Sequence, residues 1–435
     1  MTPSARFAAA IALLDAMAAT PRRPADATAT EFFRTRRYIG GGDRRAVSET
    51  VWTTIRHTLR LDWHLARHGA TPSPRLRAIA AALLVERVTL PALGALFSDT
   101  RYGPEAPSAA EQALARTLSG RALVSPDMPE HIALNLPEWC LPGFRARFGD
   151  SLAQAMAAMD EPAPLDLRAN LLKTTRDAAR AALAAEGLEA EPTPFSRWGL
   201  RAAPRQNVTA TQAFRDGLVE IQDEGSQLIA LLTAAQPGER VADLCAGAAG
   251  KTLALAAMMG NRGRITACDV SATRLDGAVK RLRRAGADNV ERHLLTAGDR
   301  WAKRRAGTFD LVLVDAPCTG SGTWRRNPDA RLTTAPRTLA EVAAKQSVIL
   351  AQAVSLLRPG GRLVYATCSL LPEENEVQVE RVLSDHPSLR PVPLAEAWAR
   401  AGQPLPAPCD GPYLALAPHS HGTDGFFAAV LERRS

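Results

Sequence analysis

From residue 6 to about residue 160, apolar side chains recur at three- and four-residue steps, which predicts helices over 7–17, 46–68, 74–86, 109–118 and 142–159. Strand-like alternation is nearly absent there. Breaks fall at Gly40-Gly41-Gly42, Gly69-Ala70-Thr71-Pro72 and Tyr102-Gly103-Pro104, where Gly and Pro stop helices and open loops. An all-helical N-terminal region is expected. After Glu161-Pro162-Ala163-Pro164 the pattern changes: 165–170 reads as a short strand and 175–186 as a helix closed by Gly187, together a small α+β region. From Val241 onward, short apolar strands at 241–244, 265–269, 311–315 and 363–366 alternate with helical patterns at 252–258, 271–284 and 339–357. That alternation predicts an α/β doubly wound sheet, whose ligand sits beyond the carboxyl ends of its strands.

The length of 435 residues fits two or three domains, each with its own core. A hydrophobic fraction of 46% and a charged fraction of 23% exclude a disordered or fibrous chain. The formal net charge of +8 favours an anionic partner such as nucleic acid, although an Arg-, Ala- and Pro-rich composition also arises from a GC-rich genome. Six cysteines stand without a CxxC pair or a His at metal-ligand spacing, so neither a metal site nor a disulfide framework is expected, and reduced thiols fit a cytoplasmic protein. Asp15 interrupts the apolar stretch 7–19, arguing against a secretory or transit peptide, and no uncharged run is long enough for a bilayer.

The segment from Val241 to Thr252 reads as a strand, a turn of small residues (Cys245, Ala246, Gly247, Ala248, Ala249, Gly250) and a helix start at Lys251. Small residues allow close backbone approach, and a helix N-terminus favours an anionic ligand group. Gly250-Lys251-Thr252 imitates the end of a phosphate-binding P-loop, but the first Gly of that motif would fall at Cys245, so a nucleoside triphosphatase is rejected. Asp269 ends the next strand, where an acid can accept both ribose hydroxyls. The two features indicate a nucleoside cofactor and leave a nicotinamide cofactor and S-adenosylmethionine both open.

Two thiols follow at other strand ends, in Asp315-Ala316-Pro317-Cys318 and in Thr367-Cys368-Ser369. Cysteine is commonly a small buried hydrophobe, and that reading is preferred for Cys140 and Cys409; Cys245 and Cys268 are expected to pack near the cofactor. With Glu373-Glu374-Asn375-Glu376, the paired Pro-Cys and Thr-Cys motifs resemble the Nol/Nop/Sun family of RNA cytosine-5 methyltransferases, and the helical first half resembles its Sun-type branch, which acts on ribosomal RNA of the small subunit. Further matches are Arg168-Ala169-Asn170-Leu171-Leu172-Lys173, Gln222-Asp223-Glu224-Gly225-Ser226-Gln227, Arg325-Arg326-Asn327-Pro328-Asp329 and Asp424-Gly425-Phe426-Phe427.

The resemblance implies a Rossmann-like class I methyltransferase domain with a mixed seven-stranded sheet over 216–435. It implies a NusB-like RNA-binding helical domain over 1–135, and between them a linking helix and small α+β RNA-recognition subdomain over 136–215. It further implies S-adenosyl-L-methionine as cofactor, Cys368 as nucleophile towards cytosine carbon 6, Cys318 in release of the product, and Asp315 with Lys251 at the base. The turn 245–251, Asp269, Asp299 and Asp315 would hold the cofactor; for Asp299 a solvated turn acid competes. Asp243 is expected to support the turn. Arg168, Asn170, Lys173, Arg325 and Arg326 are candidates for RNA contact, whereas Arg281, Arg283 and Arg284 are expected to form a solvated face. The family usually has Ala-Pro-Gly-Gly-Lys where this chain has Gly247-Ala248-Ala249-Gly250-Lys251, so strain is expected at Ala249 if that position needs a positive φ. The expected partner is 16S rRNA, acted on by a monomer without metal or membrane. Transfer to tRNA, and a non-catalytic RNA-binding or ribosome assembly factor, remain alternatives; a DNA cytosine methyltransferase fits less well, since that family relies on the Pro-Cys thiol alone.

Overall fold

Side-chain caps set the helix starts of the first half. Thr2, Ser73 and Thr89 each accept a backbone N–H of the first turn, and Ser108 with Glu111 forms a reciprocal capping box. The computed structural model describes residues 1–98, 101–203 and 206–435. It divides into two compact units, Met1–Glu161 with Trp324–Ala335, and Pro162–Thr323 with Pro336–Ser435.

The first unit is helical. Helices Pro3–Ala18, Gly41–Arg56, Thr58–Arg67 and Pro74–Leu84 enclose a core that includes Leu13, Val51, Leu61, Leu65, Ile79 and Leu83. Each such buried side chain contributes roughly 1.5–3 kcal/mol of transfer free energy. The helix expected over 46–68 is two helices, Gly41–Arg56 and Thr58–Arg67, parted at His57. The Thr54 hydroxyl donates to the Thr50 carbonyl and that of Thr58 to the carbonyls of Thr54 and Ile55, a back-bonding that bends helices. Helices also follow residue 135, so this unit runs on through Leu152–Met159 to Glu161.

Trp324–Ala335 belongs to this unit although it lies between the two thiol motifs in sequence. Trp324 is fully buried and stacks on Phe144 at 5.6 Å. Asp160 accepts from Arg60 and Arg331, each at 2.7 Å, and from Asn135 at 2.8 Å. Burial alone would push the Asp160 carboxyl up, but the two guanidinium groups outweigh it and hold it below its ordinary range.

The second unit carries two sheets. Strands β1 (Leu165–Ala169), β2 (Ala190–Pro192), β3 (Gly199–Ala202) and β4 (Val219–Ile221) form an antiparallel sheet in the order β2-β3-β1-β4. Leu167, Ala169, Leu200 and Val219 pack there with Ala179 and Leu183 of helix Arg176–Ala185.

The larger sheet comprises β5 (Arg240–Asp243), β6 (Arg264–Asp269), β7 (Val290–Leu294), β8 (Phe309–Asp315), β9 (Leu357–Thr367), β10 (Leu389–Val392), β11 (Leu414–Leu416) and β12 (Phe426–Arg433). Its path is β10-β12-β9-β8-β5-β6-β7, with β11 paired to β12. Pairs among β5 to β9 are parallel, whereas β12 runs antiparallel to β9 and β10 antiparallel to β12, so the sheet is mixed. Side chains alternate between its faces as the pleat requires. Val241, Ile265, Leu311, Leu313 and Val364 meet helices Glu224–Leu232, Gly250–Met259 and Ala272–Ala285; Ala242, Val312, Val314, Leu363 and Tyr365 meet helices Pro336–Leu356 and Glu376–Asp385. Helices on both faces leave the carboxyl ends of β5, β6, β8 and β9 as the edge on which a ligand can be received.

Candidate active site

At that edge a cleft of about 1040 Å³ is lined by Cys245 to Ala248, Gly250, Lys251, Asp269, Asp299, Asp315, Cys318 and Cys368, among others. Strand β5 leads into its floor. Asp243, at the end of β5, accepts the Thr252 hydroxyl at 2.7 Å, tying the strand to the first turn of helix Gly250–Met259. Complete burial raises the Asp243 carboxyl to about 7. Ala249 caps the helix in the left-handed region, at φ 65° and ψ 29°, and is buried behind the cleft wall. The positive φ expected of this position is present with a side chain that ordinarily avoids it.

Two arginines brace the turn from behind. Arg281 donates to the Ala248 carbonyl at 2.7 Å, and Arg168 to the Gly250 carbonyl at 2.9 Å and to Gln222. The solvated face expected for Arg281, Arg283 and Arg284 of helix Ala272–Ala285 is therefore corrected for two of the three: Arg281 lies 3.3 Å and Arg284 2.6 Å from Glu220, while Arg283 is exposed. Arg168 is also corrected as an RNA-contacting candidate. It is 3% exposed, and burial lowers its guanidinium to about 10. Asn170 is likewise buried, donating to the carbonyls of Gly217 and Ala285. Lys173 is exposed, but its ammonium holds the carbonyls of Asp216 and Arg284 at 2.8 and 2.6 Å. Arg325 is buried within the helical unit and Arg326 is exposed.

On the β6 side, each oxygen of Asp269 accepts one amide, from Gly247 at 2.9 Å and from Ser271 at 2.8 Å, which leaves each a second lone pair. Asp299 is partnered rather than merely solvated. His293 Nε2 lies 2.6 Å from one oxygen and the Trp301 amide donates to the other at 2.8 Å; the His293 contact foremost, then that amide, hold its carboxyl below the usual range. His293 was not read from the sequence, because a lone His in a polar strand carries no pattern.

On the β8 and β9 side, Lys251 Nζ donates to Asp315 at 2.6 Å. Beyond them the Sγ atoms of Cys318 and Cys368 lie 3.4 Å apart. The hydrogen bond with Cys368 foremost, then burial and the negative charge of Glu374, push the Cys318 thiol well up. The loop carrying Cys318 is pressed in by backbone contact: a Cβ on Gly322 would stand 2.1 Å from the Gly425 carbonyl oxygen, while Gly322 donates to the Cys368 carbonyl. The other thiols have different surroundings. Cys140 is buried and pushed up to about 12, burial raises Cys245, Cys268 and Cys409, and only Cys245 of these four faces the cleft. Among the described residues, no group of His, Cys, Asp and Glu is placed to hold a metal ion, and no helix is long and apolar enough to cross a membrane.

The family described as 16S rRNA methyltransferase RsmB/F matches residues 230–432, and the ferredoxin-like domain described for RsmF/B-like methyltransferases matches residues 136–209. The probable ribosomal RNA small subunit methyltransferase B of Synechocystis sp. is 34% identical over 304 residues, 69% of this chain and 67% of that one. The chain belongs to the RsmB/F methyltransferase family.

The ribosomal RNA small subunit methyltransferase B of Pseudomonas syringae pv. tomato is also 34% identical, over 68% of this chain and 65% of its own. The match thus spans about two thirds of the length of these RsmB/F relatives. A solved structure, that of PH0851, aligns over 100% of this chain and 99% of its own with a TM-score of 0.79 and 25% identity. The ferredoxin-like match takes in three strands of the four-stranded sheet, β1 to β3, together with helices from 136 to 159 that pack in the first unit.

Proposed function

We propose that this chain is an S-adenosylmethionine-dependent RNA (cytosine-5) methyltransferase acting on 16S rRNA through a covalent bond between Cys368 Sγ and cytosine carbon 6. The 3.4 Å approach of two sulfurs beside the Lys251–Asp315 pair, in one cleft, carries the reading.

Carbon 5 of cytosine is a poor nucleophile. When the Cys368 thiolate bonds to carbon 6, the 5,6 double bond opens and its electron pair becomes available at carbon 5. S-adenosylmethionine supplies there a methyl group on a sulfonium. The residues fit this cofactor: Asp269, with a free lone pair on each oxygen, suits the ribose hydroxyls, Asp299 the adenine amine, and the turn 245–251 the amino-acid portion at a helix N-terminus. Asp315 would contact the pyrimidine edge of cytosine, accepting from its exocyclic amine or meeting the ring nitrogen once that nitrogen is protonated, and Lys251 would add positive potential where negative charge develops in the ring. Cys318, once it has released its own proton to water, would take the proton from carbon 5; the 5,6 double bond then re-forms and Cys368 leaves as thiolate. A thiol whose proton is held tightly is the stronger base once ionised.

The helical region over 1–135 is proposed as a NusB-like RNA-binding domain, 136–215 as a linking helix with an RNA-recognition subdomain, and 216–435 as the catalytic domain, with the exposed Lys173 and Arg326 as phosphate contacts. Transfer of labelled methyl groups to small-subunit RNA, tRNA and DNA, followed by bisulfite mapping, tests this function. A 5-methylcytosine in 16S rRNA is expected; label confined to tRNA or DNA, or no transfer, would contradict it.

A further inference from the structure

We infer that Glu374 is a positioning residue that sets the spacing of the two sulfurs by binding the residue that follows each of them; this inference rests on the proposed two-thiol reaction. Glu374 lies in a single helical turn, Pro372–Glu374, and its side chain is fully buried. One carboxylate oxygen accepts the Thr319 amide at 2.8 Å and Gln346 Nε2 at 3.1 Å. The other accepts the Thr319 hydroxyl at 2.5 Å and the Ser369 hydroxyl. Thr319 follows Cys318 and Ser369 follows Cys368, so one rigid planar group spans the two loops directly behind the two thiols.

The neighbouring contacts extend the same device. Gln346 also donates to the Pro317 carbonyl at 2.9 Å, so Cys318 is held on both flanks. Asn375 does the same for Cys368, accepting the Thr367 hydroxyl at 2.5 Å and donating to the Ser369 carbonyl at 2.9 Å. Among the described residues no cation pairs with Glu374, whose donors are one amide, one carboxamide and two hydroxyls. An uncompensated buried carboxylate is costly for stability alone and would be replaceable by an apolar side chain if it only filled space. Four convergent donors offset that cost, and what they determine is the geometry of two loops that also meet where Gly322 donates to the Cys368 carbonyl and through the hydroxyls of Thr319, Ser321 and Ser369.

The test uses the full chain with Glu374→Gln, which puts an amide N–H₂ against donors, and Glu374→Asp, which withdraws the carboxylate by one methylene. Two readouts are needed. Single-turnover methyl transfer to RNA should fall about 10²-fold in both variants, as expected for misplaced reacting groups, with affinities for RNA and S-adenosylmethionine within threefold of wild type. Phenylarsine oxide, which condenses with two adjacent thiols and releases water, reads the sulfur spacing without any catalysis. Wild type should be bridged rapidly and Cys368→Ser not at all, with the Glu374 variants at least tenfold slower than wild type. Should a Glu374 variant fail to fold, Thr319→Val and Ser369→Ala each remove one tether and should slow both readouts by about tenfold. Wild-type bridging and turnover in the folded variants would overturn the role. Slowed bridging in the variants of a protein whose wild type methylates no RNA would instead keep the role and sink the proposed reaction.

Discussion

Lys251 Nζ stands 2.6 Å from Asp315 Oδ2, joining the first turn after β5 to the end of β8 across the floor of the cleft. About a third of the Asp315 side chain remains exposed there, whereas Lys251 is almost wholly enclosed. The pair is therefore an ion pair with one open side, suited to receive a polar ring. Lys251→Met keeps the stem and removes the charge. Single-turnover methyl transfer should fall by about 10²- to 10³-fold, the loss typical of one group aimed at developing charge. A change below threefold in rapid-quench assays would remove Lys251 from the mechanism.

Ala249 provides a test of backbone strain. At φ 65° a side chain costs roughly 1–2 kcal/mol that glycine avoids, while losing a buried methyl costs about 0.8 kcal/mol, so Ala249→Gly should leave stability nearly unchanged. The same change at Ala254, buried in the middle of helix Gly250–Met259, should cost about 2 kcal/mol from lost helix propensity and lost burial together. Chemical denaturation of the two variants side by side checks the difference; equal losses would show that Ala249 is unstrained.

Burial raises Asp243 to about 7, with a consequence for pH. Between about pH 4 and 7 the unfolded chain has lost this proton while the folded one retains it, so the unfolded state binds fewer protons and stability falls as pH rises. Below that window both states are protonated and above it both are ionised, so the effect levels off. Asp243→Asn removes the titration and keeps an acceptor for Thr252. The stability of Asp243→Asn relative to wild type, followed by denaturation from pH 4 to 8, should therefore increase up to about pH 7, by an amount on the order of a few kcal/mol. A difference independent of pH would show that the site is solvated.

Much of the site was legible because strong local patterns carried it. The apolar runs before Asp315 and Cys368 could hardly be anything but central strands, and a thiol at the end of each is a chemical signal that survives without coordinates. Basic side chains were misjudged for the opposite reason, since nothing local says whether a guanidinium meets a phosphate or a carbonyl. Arg168 and Asn170 were read as contacts to RNA, and Arg281 and Arg284 as a solvated face, yet all four serve backbone carbonyls or Glu220. The placement of Trp324–Ala335 was equally hidden. That segment lies between the two thiol motifs, and residues such as Phe144 and Asp160, more than 150 residues earlier in sequence, draw it into the helical unit. Glu374 lay in a recognised motif, but its task depends on which loops the fold brings to it.

The division of labour between the two sulfurs is tested most directly by Cys318→Ala incubated with the RNA substrate and S-adenosylmethionine, then run on a denaturing gel. If Cys368 bonds to carbon 6 and Cys318 serves release, this variant should accumulate a covalent protein–RNA band that disappears when Cys368→Ser is added. Absence of the band under conditions where wild type turns over, or its persistence in the double variant, would contradict the assignment.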